Sequence, residues 1–95
     1  MAKIEYAERA LADVERLADF LMEKDPGAAG QTLDLIQSAL APLKHHPLIG
    51  RPKNHGLHEL VISRGRTGYL ALYRYDEVLD RILILTIRHQ REAGY

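Results

Sequence analysis

Residues 88–95 concentrate the groups that could do chemistry. Arg88, His89, Arg91 and Tyr95 stand there, with Glu92 among them. Guanidinium groups bind phosphate oxygens or carboxylates in a fixed fork. An imidazole moves a proton near neutral pH. A strand that delivers these groups to the chain end can handle phosphate esters or dock a charged partner. Each also has a plainer reading. His89 can close a strand end against Glu92 or the backbone. Arg88 and Arg91 can pair with Glu92 or Glu59. Further cations that could contact a target or a nucleic acid are Arg51 and Lys53, in a segment rich in Pro and Gly, and Arg64 and Arg66, around Gly65. Tyr69, Tyr73 and Tyr75 alternate along one stretch, a spacing that puts them on one strand face. They are expected in a core or at a partner interface.

The charge is segregated. The chain has 13 Lys/Arg and 13 Asp/Glu. Residues 1–43 hold four Lys/Arg against eight Asp/Glu, a net of −4, and residues 44–95 hold nine against five, a net of +4. All five histidines fall in the second half. That split suits an anionic partner for the C-terminal half. The histidines lack a helical i, i+4 pair or an acidic companion, so no metal site is expected. No phosphate-cradling glycine motif is present, and no cofactor is expected.

The elements that must position these groups follow from periodicity. Ninety-five residues suit one domain spanning 1–95. Zero cysteines exclude a disulfide framework and fit a reducing cytoplasm. No signal-like or membrane-spanning apolar run is seen. Ala2–Tyr6 reads as a short edge strand. Ala10, Leu11, Val14, Leu17, Ala18 and Leu21 mark an amphipathic helix, with Asp13 assigned to its polar side. Asp25-Pro26-Gly27 ends that helix and starts another, with Asp25 as cap and Pro26 in the first turn. Ala29, Leu33, Ile36, Leu40 and Leu43 form the second stripe, which Pro42 should end near Leu40 or Ala41. Lys44–Gly56 reads as a loop. His58–Ser63, Tyr69–Tyr75 and Arg81–His89 read as strands, joined by turns at 64–68 and 76–80. Ile82, Ile84 and Thr86 should share one face of the last strand, and Leu83, Leu85 and Ile87 the other. Apolar residues on both faces call for cover on both, and two helices cover only one. A homodimer or a partner chain is expected on the second.

The order is β-α-α-β-β-β: an α+β fold with an N-terminal helical hairpin on a twisted, mainly antiparallel four-stranded sheet. This order resembles the RelE/ParE superfamily of bacterial toxins, which includes plasmid stabilization proteins. The resemblance is carried by the hairpin, Leu43, Pro47, Gly50 and Arg51, Glu59-Leu60, Gly68-Tyr69, Leu72-Tyr73-Arg74-Tyr75, and the final His89-x-Arg91-Glu92-x-Gly94-Tyr95. It implies the toxin of a type II toxin–antitoxin pair, acting in the bacterial cytoplasm and neutralised by a cognate antitoxin. In the RelE branch it further implies a ribosome-dependent mRNA endonuclease, here with His89, Arg91, Tyr95 and Arg88 as catalytic candidates. In the ParE branch it implies a non-catalytic poison of DNA gyrase. Leu70 stands where the RelE branch has an arginine, and His58-Glu59-Leu60 replaces a basic second strand. Both departures lean toward ParE. An inactive relative that only binds an antitoxin is the third alternative.

Overall fold

The computed structural model describes residues 1–62 and 68–89. Strand β1 (Lys3–Tyr6) leads into helix α1 (Glu8–Lys24), helix α2 (Pro26–Leu40) and a 3-10 turn (Ala41–Lys44). Strands β2 (Arg51–Pro52), β3 (Leu57–Val61), β4 (Tyr69–Asp76) and β5 (Arg81–His89) follow. The sheet order is β1-β5-β4-β3-β2. Only β1 runs parallel to its neighbour, β5.

The α+β architecture and helical hairpin match the sequence expectation. The sheet has five strands where four were expected. The extra one is Arg51–Pro52, which pairs antiparallel with Glu59 and His58 inside the segment read as loop.

Asp25 organises the hairpin. Its backbone N–H donates to the Leu21 carbonyl, closing α1. Its carboxylate accepts from the Ala28 N–H at 3.3 Å, opening α2. Pro26 fills the first helical position, where an N–H would have no partner. α2 gives way to the 3-10 turn at Ala41-Pro42, and that turn buries Leu43 completely.

The helices pack on one sheet face. Ala10, Leu17, Ile36 and Leu40 meet Tyr69, Ala71, Tyr73, Ile82, Ile84 and Ile87 in the core. Directly opposed residues on antiparallel strands share a face, so the register sorts the sheet. Tyr75, Tyr73, Ala71 and Tyr69 face the helices with Ile82, Ile84, Ile87 and His89. Leu72 faces outward opposite Thr86, Leu70 opposite Arg88 and Arg74 opposite Leu83.

β5 departs from simple alternation. Tyr73 pairs with Ile84 while Leu72 pairs with Thr86, so Leu85 is an extra residue. The bulge reverses the alternation beyond it. Ile87 joins Ile82 and Ile84 in the core, and Thr86 moves to the other face, correcting the expected partition of this strand. Asp13 is likewise corrected: it is only 8% exposed and belongs to the buried side of α1 with Ala10 and Leu17.

Candidate functional site

The outer sheet face, away from the helices, gathers most of the described cations of the C-terminal half. Arg51 enters from β2, opposite Glu59. Arg74 comes from β4 and is exposed, and Arg88 comes from β5 opposite Leu70. Between them lie Leu57, Val61, Leu70, Leu72, Leu83 and Leu85, all half-buried. A shallow open depression at the β2 end is lined by Pro52, Lys53, Asn54, His55, Leu57 and Leu72.

Several of these charges are engaged within the chain. Glu59 is 4% exposed and accepts from Arg51 Nη2 at 2.7 Å. Lys53 Nζ lies 3.6 Å from the same carboxylate oxygen. The Arg51 side chain itself is 65% exposed. A buried carboxylate thus fixes two exposed cations at the sheet edge. At the opposite edge Glu5 lies 3.3 Å from Arg81 and 3.6 Å from Lys3.

The backbone under Glu59 is equally constrained. The Gly50 N–H donates to Tyr73 Oη at 3.0 Å in a buried position. A Cβ on Gly50 would stand 2.8 Å from the Tyr73 ring and 2.9 Å from the Glu59 carbonyl oxygen. His58 stacks on Tyr73 with ring centres 5.6 Å apart. Burial raises the Tyr73 pKa, partly offset by the hydrogen bond from Gly50.

His89 is separated from Arg88 by the sheet. It meets Tyr69 edge-on, with ring centres 5.3 Å apart, on the helix side. Tyr69 and Tyr73 are core residues, 5% and 0% exposed, the first of the two placements expected for them. Their alternation places them under the helices. Tyr75 is half-buried at the same face, and its hydroxyl donates to Asp80 Oδ1 at 2.8 Å. That bond, followed by burial and nearby acidic groups, raises the Tyr75 pKa. Arg64, Arg66, Arg91 and Tyr95 lie outside the described residues. Among the described residues no three His, Asp or Glu side chains gather as a metal site needs, and no helix is long and apolar enough to cross a membrane.

Two groups escaped the sequence reading. Glu59 looked like an ordinary strand residue. Asp13 carried a signal: it sits three residues after Ala10 and four before Leu17, on the apolar stripe itself. An acidic residue at a stripe position marks a buried polar contact.

The family model of the ParE toxin of the type II toxin–antitoxin system parDE matches residues 4–94. The chain belongs to this toxin family. It is 36% identical over 92 residues to Toxin RelE3 of Caulobacter vibrioides, covering 97% of this chain and 98% of that one. Toxin RelE1 of the same organism is 36% identical over 66 residues, covering 70% and 71% of the two chains. Among solved structures, the fold resembles a chain of the chromosomal ParDE system from P. aeruginosa with a TM-score of 0.78, at 24% identity, covering 94% and 96% of the chains. It also resembles a chain of the intact E. coli RelBE toxin–antitoxin complex, with a TM-score of 0.67 at 13% identity over the full length of both. This ParE-family chain is therefore a type II toxin, with the mixed five-stranded α+β fold of its structural neighbours.

Proposed function

We propose that this toxin acts by binding DNA gyrase and is neutralised by a cognate antitoxin. The observation that carries the reading is the division of polar groups across the sheet. RNA cleavage needs a base, an acid and phosphate-binding cations around one scissile bond. Here Leu70 faces outward beside Arg88, at the position where the RelE branch has an arginine. His89 and His58 lie on the helix face against tyrosines. The outer face instead offers half-buried leucines ringed by arginines, a composition suited to protein docking.

The antitoxin is assigned to the helical hairpin. Tyr6, Leu11, Val14, Leu33, Ile36 and Gln37 line a groove between the helices. Leu11 in this lining is itself exposed. An amphipathic helix laid in such a groove buries these side chains. Structural neighbours come from toxin–antitoxin complexes of the ParDE and RelBE kinds, which supports that partner.

A second reading, a ribosome-dependent mRNA endonuclease, draws support from the curated relatives named RelE3 and RelE1 and from Arg51 and Lys53 at the sheet edge. The test uses purified toxin without antitoxin. Gyrase supercoiling and cleaved-DNA accumulation are scored beside mRNA cleavage on translating ribosomes. Gyrase inhibition that the antitoxin reverses is expected. Ribosomal cleavage without a gyrase effect overturns the proposal.

A further inference from the structure

We propose that Asp13 is a positioning residue. Its carboxylate holds β5 in the bulged register, and so decides that Arg88 faces the outer surface and His89 the helices. The contact itself is plain: the Ile87 N–H donates to Asp13 Oδ2 at 3.0 Å, in a buried position. Its meaning comes from strand geometry. Successive residues of a strand turn their N–H and C=O groups to opposite edges. Groups aimed at the same edge are therefore an even number of residues apart.

The β1 side of β5 breaks that rule. The Ile84 carbonyl accepts from the Ala7 N–H at 2.8 Å, at the end of β1. The next contact on that side is the Ile87 N–H, three residues on. An odd interval requires one extra residue, and that residue is Leu85 in the bulge. In a regular strand continuing from the Tyr73–Ile84 pair, Ile87 would direct its N–H toward β4, and the Asp13–Ile87 bond could not form. Asp13 thus bonds a group that reaches it only when the bulge is present.

The site also explains why an acceptor is needed. β1 ends at Tyr6, so among the described residues β5 beyond Ile84 has no strand neighbour on this side. The Ile87 amide would be a buried donor without a partner, a state proteins avoid. Asp13, one turn into α1, replaces the missing strand. Its second oxygen, Oδ1, lies 3.7 Å from Arg16 Nη2 near the surface. The helix thereby sets the register of the strand it covers.

The consequence concerns the target surface and rests on the reading of that surface as the gyrase contact. With the bulge, Leu70 pairs with Arg88 and Tyr69 with His89. In the regular register Leu70 would pair with Ile87 and Tyr69 with Arg88. The cation would then turn to the helix face and an isoleucine would turn outward.

The register is read directly by cross-strand nuclear Overhauser contacts in the full-length toxin. Wild type and Asp13→Asn, which keeps an acceptor oxygen, are expected to show the Leu70–Arg88 pairing. Asp13→Ala is expected to populate the Leu70–Ile87 pairing and to lose at least tenfold in growth-arrest potency. Retention of Leu70–Arg88 as the sole pairing in Asp13→Ala overturns the proposal. Should Asp13→Ala fail to fold, Asp13→Asn decides. A neutral acceptor holds the amide less strongly than a carboxylate, so exchange of the Ile87 amide should quicken several-fold against the other β5 amides. Unchanged exchange overturns the proposal. Arg88→Glu separates the two readings: unaltered potency in this variant, with a register shift in Asp13→Ala, refutes the target surface and leaves the positioning role standing.

Discussion

Gly50 and Tyr73 show how one residue type can fix the site's floor. The Gly50 N–H is buried and its acceptor is the Tyr73 hydroxyl. Tyr73→Phe removes that acceptor and leaves a buried donor, at a cost of about 1–3 kcal/mol. Gly50→Ala drives a methyl into the tyrosine ring and a carbonyl oxygen, at a comparable cost of about 1–3 kcal/mol. Both variants should show a lower urea midpoint with an unchanged slope; an unaltered midpoint for either refutes the contact. Glu59 makes a related asymmetry. Its carboxylate is buried while Arg51 is exposed. Arg51→Ala leaves Glu59 with Lys53 at 3.6 Å and should destabilise the fold more than Arg74→Ala, whose side chain is exposed. Equal midpoints for the two variants would show that Arg51 contributes no more than a surface charge.

At the scale of elements, the hairpin carries its own punctuation. Asp25 serves both helices, so Asp25→Ala should cost about 1 kcal/mol and reduce the helical signal in proportion; a loss below a few tenths would mean that Pro26 and the hairpin packing suffice. This element was legible in the chain because long amphipathic helices repeat their pattern many times and a Pro-Gly pair interrupts it. β5 was legible for a different reason, a continuous run with apolar residues on both faces, with its limits at Arg81 and His89. Two things were not. β2 needs only two paired residues, too few for any period to register. The bulge at Leu85 changes no composition and breaks no apolar run, yet it reverses the faces of Thr86, Ile87, Arg88 and His89. The candidate site suffered from the second. Arg88 and His89 are neighbours in sequence and read as one cluster, but the sheet divides them. Arg51 and Lys53 were visible as basic residues in a Pro- and Gly-rich segment, while their buried partner Glu59 was not, because the pairing spans two strands.

For the whole molecule, three tyrosines couple folding to alkaline pH. Burial raises the pKa of Tyr6 and Tyr73. The bond to Asp80 is the main cause at Tyr75, with burial and the acidic neighbours adding to it. In the unfolded chain each phenol ionises at about pH 10. Above that pH the unfolded state has released protons that the native state still holds, so stability falls as pH rises. Below it both states are protonated, and the tyrosines add no slope. Urea midpoints should therefore be level with respect to these groups up to roughly pH 9 and decline beyond about pH 10. Tyrosinate absorbance of the folded protein should appear at higher pH than that of the urea-unfolded chain. Tyr75→Phe isolates one contribution without opening the core. Its hydroxyl meets the Asp80 carboxylate near the surface, which also lies 3.7 Å from the Met1 amino group, while the Asp80 backbone carbonyl accepts from the Lys3 N–H at 3.0 Å. Replacing it should flatten the alkaline decline while leaving the neutral midpoint nearly unchanged. Coincident tyrosinate titrations of folded and unfolded protein would refute all three shifts together, whereas an unchanged decline in Tyr75→Phe would assign the effect to Tyr6 and Tyr73 in the core.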